Sequence, residues 1–148
     1  MTYAAQLVSL ITGILGSLLG AAALIITFLN YRRDQHKVKV TLKWDMMDVA
    51  TRRMMGIVKV TNVGRRPVHL NIVGLEIGSH QKHSHLILNE SIKGKRLDEG
   101  DKPEAFIVNY DQMAHYKEVW DKIRARAEDS NGKAYYSEYP KDKPSWAR

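Results

Sequence analysis

The chain has 148 residues, with 23 Lys and Arg against 16 Asp and Glu, a formal charge of +7 and no cysteine. That length suits one domain, and the missing cysteine excludes a cysteine nucleophile while fitting a reducing compartment and many exported proteins alike. The charge is not spread evenly: residues 1 to 30 carry none, so the chain falls into an uncharged opening and a basic remainder.

Ala4 to Leu29 is a run of 26 residues in which only Gln6, Ser9, Thr12, Ser17 and Thr27 are polar. As a helix it spans about 39 Å at ~1.5 Å per residue, more than the ~30 Å core of a bilayer, so it can cross with some tilt. A cleaved signal peptide needs a basic start, a shorter apolar stretch and a small-residue cleavage site. No Lys or Arg precedes the run, the run is too long, and it ends in Phe28, Leu29, Asn30, Tyr31, Arg32 and Arg33. The sequence therefore predicts a transmembrane helix within residues 1–31. A basic juxtamembrane linker comes next at 32–36, and Arg32, Arg33 and Lys37 place the carboxyl side in the cytoplasm by the positive-inside rule. The expected location is a cell inner membrane, single-pass, with the amino terminus outside.

Three glycines interrupt this helix. Positions four apart share a helix face, so Ser9, Gly13, Ser17 and Ala21 form one small-residue row, with Gly16 and Gly20 beside it as a GxxxG pair. Lipid supplies no hydrophobic force between helices, and small side chains permit the close backbone approach on which association then relies. Leu7, Leu10, Ile14, Leu18 and Ile25 cover the opposite, lipid-suited face. The row predicts a homo-oligomer or a partner transmembrane helix, with a passive anchor as the plainer alternative.

From Lys37 the period changes to two. Val38, Val40, Leu42 and Trp44 alternate with Lys37, Lys39, Thr41 and Lys43, the pattern of a half-buried strand. A second strand is expected over Met55 to Val63 and a turn over Asn62 to Pro67. A third begins at Val68, Leu70 and Ile72, and Val73-Gly74-Leu75 then shifts its parity as a bulge would. His85 to Asn89 reads as a weaker strand, Leu97 to Asp101 as a turn and Ala105 to Val108 as a strand. Asp111 opens a short helix reaching about Trp120, and Ile123–Glu128, Asp129–Lys133 and Ala134–Ser137 make a terminal hairpin. About seven short strands suggest a sandwich or small barrel over 37–139, with a basic tail over 140–148.

Four stretches carry a family resemblance: Val60-Thr-Asn-Val-Gly-Arg-Arg-Pro-Val68, Val73-Gly-Leu75, the Leu97-to-Asp101 turn, and Ala127-Glu-Asp-Ser-Asn-Gly-Lys-Ala-Tyr135. In these the chain resembles small, mostly uncharacterised single-span proteins of bacteria and phages with an immunoglobulin-like β-sandwich. The resemblance covers about residues 37 to 138 and implies a mainly β, immunoglobulin-like fold. It brings no catalytic residues, and the Cys-Trp-Cys core of antibody domains is absent.

Chemistry finds little support. His80, His83 and His85, with Glu76 or Glu90, are weak candidates for a metal site, because cluster spacing without supporting outer partners is thin ground. Asp98, Glu99 and Asp101 lie together in a turn, where solvation explains them. No GxSxG, P-loop or HExxH motif occurs, so the sequence predicts a non-enzymatic protein without cofactors. The basic surplus suggests contact with an anionic membrane surface through Arg32, Arg33, Lys37, Lys39 and Lys43, with the cations and Trp146 of the tail. Nucleic-acid binding is the lesser use of that charge, since no recognition module accompanies it. The expected role is a membrane-anchored interaction module. A membrane effector of antiphage defence, whose β domain senses a signal and whose spans cluster to disrupt the membrane, is the alternative.

Overall fold

The computed structural model describes residues 2–78, 84–89 and 94–148, and the chain forms two compact units, Met1–Gln35 and His36–Arg148. The first is one helix, α1 (Tyr3–Arg33), without a buried residue among those described. Its most apolar window has a mean hydropathy of 2.2, so it is long and apolar enough to cross a membrane. The Asp34 amide closes it by donating to the Asn30 carbonyl at 2.9 Å. Arg32 and Arg33 occupy the last turn, where cations complement the helix dipole.

The second unit is mainly β. Its strands among the described residues are β1 (Val38–Met47), β2 (Met54–Asn62), β3 (Val68–Glu76), β4 (His85–Asn89), β5 (Lys95–Leu97), β6 (Glu104–Asn109), β7 (Arg124–Asp129) and β8 (Ala134–Tyr136). They pair antiparallel into one sheet of order β1-β2-β6 and another of order β4-β3-β7-β8, with β5 also on β3. Period-two alternation turns Val40, Val58, Val60, Phe106 and Val108 of the first sheet inward. Val68, Leu70, Val73, Leu75, Ala125 and Ala127 of the second share the same buried core.

Two features agree with the sequence signals. The parity of β3 does change between Leu70 and Val73, and the β3–β4 register shifts between Val73 and Gly74. A Cβ on Gly74 would clash with the Leu86 carbonyl oxygen, far inside van der Waals contact, so the close approach of β4 requires glycine there. The Asn62–Pro67 turn is held by a buried asparagine. Asn62 Nδ2 donates to the carbonyls of Arg66 and Leu97, and its Oδ1 accepts from the Gly64 amide, all at 2.9 Å.

Asp129 plays the same part in the last hairpin. Its Oδ1 accepts from the amides of Asn131 and Lys133 at 2.9 Å, its Oδ2 from the Tyr135 hydroxyl at 3.1 Å, and Gly132 supplies the left-handed turn at φ +79°. Burial and then the hydrogen bond and charge of Asp129 push the Tyr135 phenol up to about 12. A raised folded value stabilises the protonated form, so this contribution is complete below the ordinary value of 10.0 and is lost as pH rises toward about 12. In a spectrophotometric base titration Tyr135 is expected to ionise late, as is Tyr110, which burial and its hydrogen bond to Asp45 also raise. Tyr135→Phe should remove the Tyr135 step and flatten the loss of stability across the same range.

Three expectations are corrected. The β unit has an extra strand: β5 is only three residues long and carries Lys95 and Arg96, too short and polar to show alternation. The helix expected from Asp111 is α-helical only over α2 (Tyr110–Met113). It continues as a 3-10 helix, Ala114–Lys122, broken by non-helical backbone at Tyr116 and Val119. The last nine residues are not simply a basic tail. Pro144 is fully buried, Trp146 and Ala147 are 7% and 4% exposed, and Ser145–Ala147 forms a 3-10 turn.

That last segment docks on a break in β1. The register shifts between Lys43 and Met46, and Asp45 takes a positive φ of 57°. Its carboxylate accepts from the Ser145 amide at 3.0 Å, the Ser145 hydroxyl at 2.5 Å and the Tyr110 hydroxyl at 2.8 Å. Partial burial would raise the Asp45 pKa, but the Ser145 and Tyr110 hydrogen bonds and the positive charge of Arg148 outweigh it and hold the carboxyl below its ordinary value. Trp44 lies beneath, 5.3 Å from the Trp146 ring and 6.2 Å from Tyr110 between centroids, in tilted aromatic contact.

Candidate functional site

The apolar helix is the first candidate surface. Along α1, Ser9, Gly13, Ser17 and Ala21 succeed one another at four-residue steps, and Gly16 and Gly20 make the adjacent pair. Nothing lies within 4 Å of the position a Cβ would take on Gly13, Gly16 or Gly20. Ser9, Gly13 and Ser17 line a shallow groove with Ala5, Gln6, Leu10 and Ile14, so Leu10 and Ile14, expected on the opposite face, flank the row instead, as the ~3.6-residue helical period puts them. The hydroxyls do not form a polar path. Thr12, Ser17 and Thr27 donate back to the carbonyls of Val8, Ile14 and Ala23 at 2.8, 2.9 and 2.8 Å, which satisfies each donor within the helix.

The basic residues divide between the units. Arg32 and Arg33 belong to the last turn of α1. In the β unit, the Lys37 carbonyl accepts from the Val63 and Gly64 amides at 2.9 and 3.1 Å and so ties the start of β1 to the Asn62 turn. Lys39 and Lys43 are exposed on β1 at the parity opposite to Val40, on the face turned from the core. Trp146, grouped with the tail's cations in the sequence, is buried and offers no ring to a membrane.

The metal candidates do not assemble among the described residues. No group of three His, Asp or Glu side chains there is placed to hold an ion. His80, His83 and Glu90 lie outside the described residues. His85 Nδ1 is 2.9 Å from the Ser84 hydroxyl, and Glu76 binds Arg124 Nε at 2.5 Å. The acidic turn is likewise occupied. Asp98 accepts from Arg96 Nε at 2.8 Å, and Asp101 accepts from the Asp98 amide at 2.7 Å.

Sequence reasoning missed the aromatic and ionic cluster at the β7–β8 edge. The Arg124 guanidinium sits 3.8 Å from the Tyr136 ring centroid and 5.2 Å from that of Tyr139, while Glu76 holds its Nε. Tyr136 and Tyr139 read as ordinary residues after the hairpin, and only the pairing of β3 with β7 brings Glu76 opposite Arg124. Comparison with protein-family models finds no matching family, and comparison with curated proteins finds no matching relative.

Proposed function

We propose that this chain is a single-span membrane protein whose β unit acts by binding rather than catalysis, held at the cytoplasmic face of a bacterial or phage-infected cell membrane. The observation that carries this reading is α1, with no charge before Arg32 and no residue buried within its own unit. A surface of that kind and length costs least in lipid, where every helical amide is already paired. Arg32 and Arg33 at its end support a cytoplasmic place for the residues beyond them.

The open row of Ser9, Gly13, Gly16, Ser17, Gly20 and Ala21 supports pairing of the span with a second copy or another membrane helix. In the β unit, the strand orders β1-β2-β6 and β4-β3-β7-β8 support an immunoglobulin-like reading as A, B and E against C′, C, F and G. Carbonate washing should leave the full chain in the membrane, and cross-linking there should trap a multimer. In the Gly16→Leu/Gly20→Leu variant the multimer is expected to fall several-fold while the chain stays integral. Release by carbonate would refute the anchor. A monomer in both proteins would refute the assembly role of the row.

A further inference from the structure

We infer that the outer face of the β1-β2-β6 sheet docks on an anionic lipid surface. The pairing registers lay this face out in rows. Lys39 stands opposite Thr61; Thr41 opposite Lys59, which faces Ala105; Lys43 opposite Ile57, which faces Ile107; and Met46 opposite Met55, which faces Asn109. Partners in an antiparallel pair share a face, so Lys59, distant in sequence, joins Lys39 and Lys43. One end of the face is cationic and the other apolar.

Within these rows its charge is unopposed, and Glu138 is the carboxylate that lines the groove along Lys39 and Lys43. Among the described residues the rows contain no carboxylate, and none of the three lysines takes part in an ion pair. The nearest acids in these strands are engaged elsewhere: Glu104 binds Lys95 at 2.7 Å, and Asp45 holds Ser145 and Tyr110. The apolar end is exposed: Ile107 is 58% and Met46 40% accessible, and Val49 in the adjoining β1–β2 connection is 88% accessible. A solvated outer face has no need of a paired Ile57 and Ile107. At a bilayer interface these aliphatics enter the headgroup layer, while the lysine stems lie along them and the ammonium groups reach lipid phosphates.

The same cations would attract nucleic acid, but these rows hold no aromatic ring for base stacking and no arginine for bidentate phosphate contact. Connectivity also favours lipid. Only residues 34 to 37 separate α1 from β1, a reach of at most about 18 Å at ~3.6 Å per step, so a membrane span would keep this edge strand at high local concentration near the surface. The inference rests on the membrane anchoring proposed above.

The absence of native cysteine permits a single label. The full chain carrying Ile107→Cys, labelled with an environment-sensitive dye, is reconstituted into vesicles of phosphatidylcholine alone or with phosphatidylglycerol. The emission should shift to the blue, and acrylamide quenching should fall several-fold, only with phosphatidylglycerol. High salt and the Lys39→Glu/Lys43→Glu/Lys59→Glu variant should each reverse both changes, and a label at His69→Cys, exposed on the other sheet, should stay aqueous throughout. A label at 107 that stays aqueous in both lipids, in a chain that resists carbonate, overturns the docking and leaves the anchor standing. Release of the chain by carbonate overturns both. A response to added oligonucleotide without one to phosphatidylglycerol also overturns it, assigning the face to nucleic acid.

Discussion

Trp146→Ala is expected to destabilise the β unit by about 3–5 kcal/mol, the range for removing a large aromatic from a packed core. The ring is 7% exposed and tilts against Trp44, which in turn packs on Tyr110. Neither indole N–H has a hydrogen-bond partner among the described residues, so the contribution is packing, and Trp146→Phe should recover a large part of it. Urea denaturation in detergent, monitored by near-ultraviolet circular dichroism, measures both variants. The carboxyl-terminal residues would then count as part of the domain. A solvated tail would lose nothing measurable, and that result would contradict the docking of Pro144–Ala147.

Asn62→Ala should cost about 2–4 kcal/mol, because it strands buried backbone groups that cannot reach water. The side chain is 4% exposed and serves the Arg66 and Leu97 carbonyls and the Gly64 amide at once. Asn62→Asp separates the roles. The new carboxylate keeps the bond from Gly64 but loses both donors and places a charge against two carbonyls, so at neutral pH it should be at least as damaging as alanine. Burial raises the pKa of such a group, and stability should recover in part as pH falls and the carboxyl regains a proton to donate. Equal stability of the aspartate variant across neutral and mildly acidic pH would contradict the buried three-way contact.

Both results bear on how much of the molecule was legible in its sequence. The asparagine lies in a recognisable strand-turn-strand stretch, Val60 to Val68, yet its partner Leu97 is 35 positions away and no local pattern points to it. The last hairpin was legible as a turn over Asp129–Lys133, because its turn residues lie next to one another, while the hydrogen bonds of Asp129 to Lys133 and Tyr135 were added by the structure. Tail docking was hidden for the opposite reason. Lys141, Asp142 and Lys143 are exposed and signal a solvated end, while the burial of Pro144 and Trp146 depends on a bulge at Asp45, about a hundred residues earlier.

The candidate surfaces divide in the same way. Gly13, Gly16 and Gly20 could be placed on one side of a helix from spacing alone, and Lys39 and Lys43 on one side of a strand, because each pattern is set by the period of a single element. Lys59, Ile57 and Ile107 could be added only after strand pairing had chosen their neighbours.

The sequence by itself determined the uncharged amino-terminal helix, the alternating strands after it and the polar turns at Asn62–Pro67 and Asp129–Lys133, because periodicity, charge segregation and turn chemistry act over a few residues. Tertiary structure alone decided which strands share a sheet, which lysines share a face and where the final tryptophan is buried. Those outcomes depend on register and on contacts between residues far apart in the chain, which come together only when the two sheets close over one core.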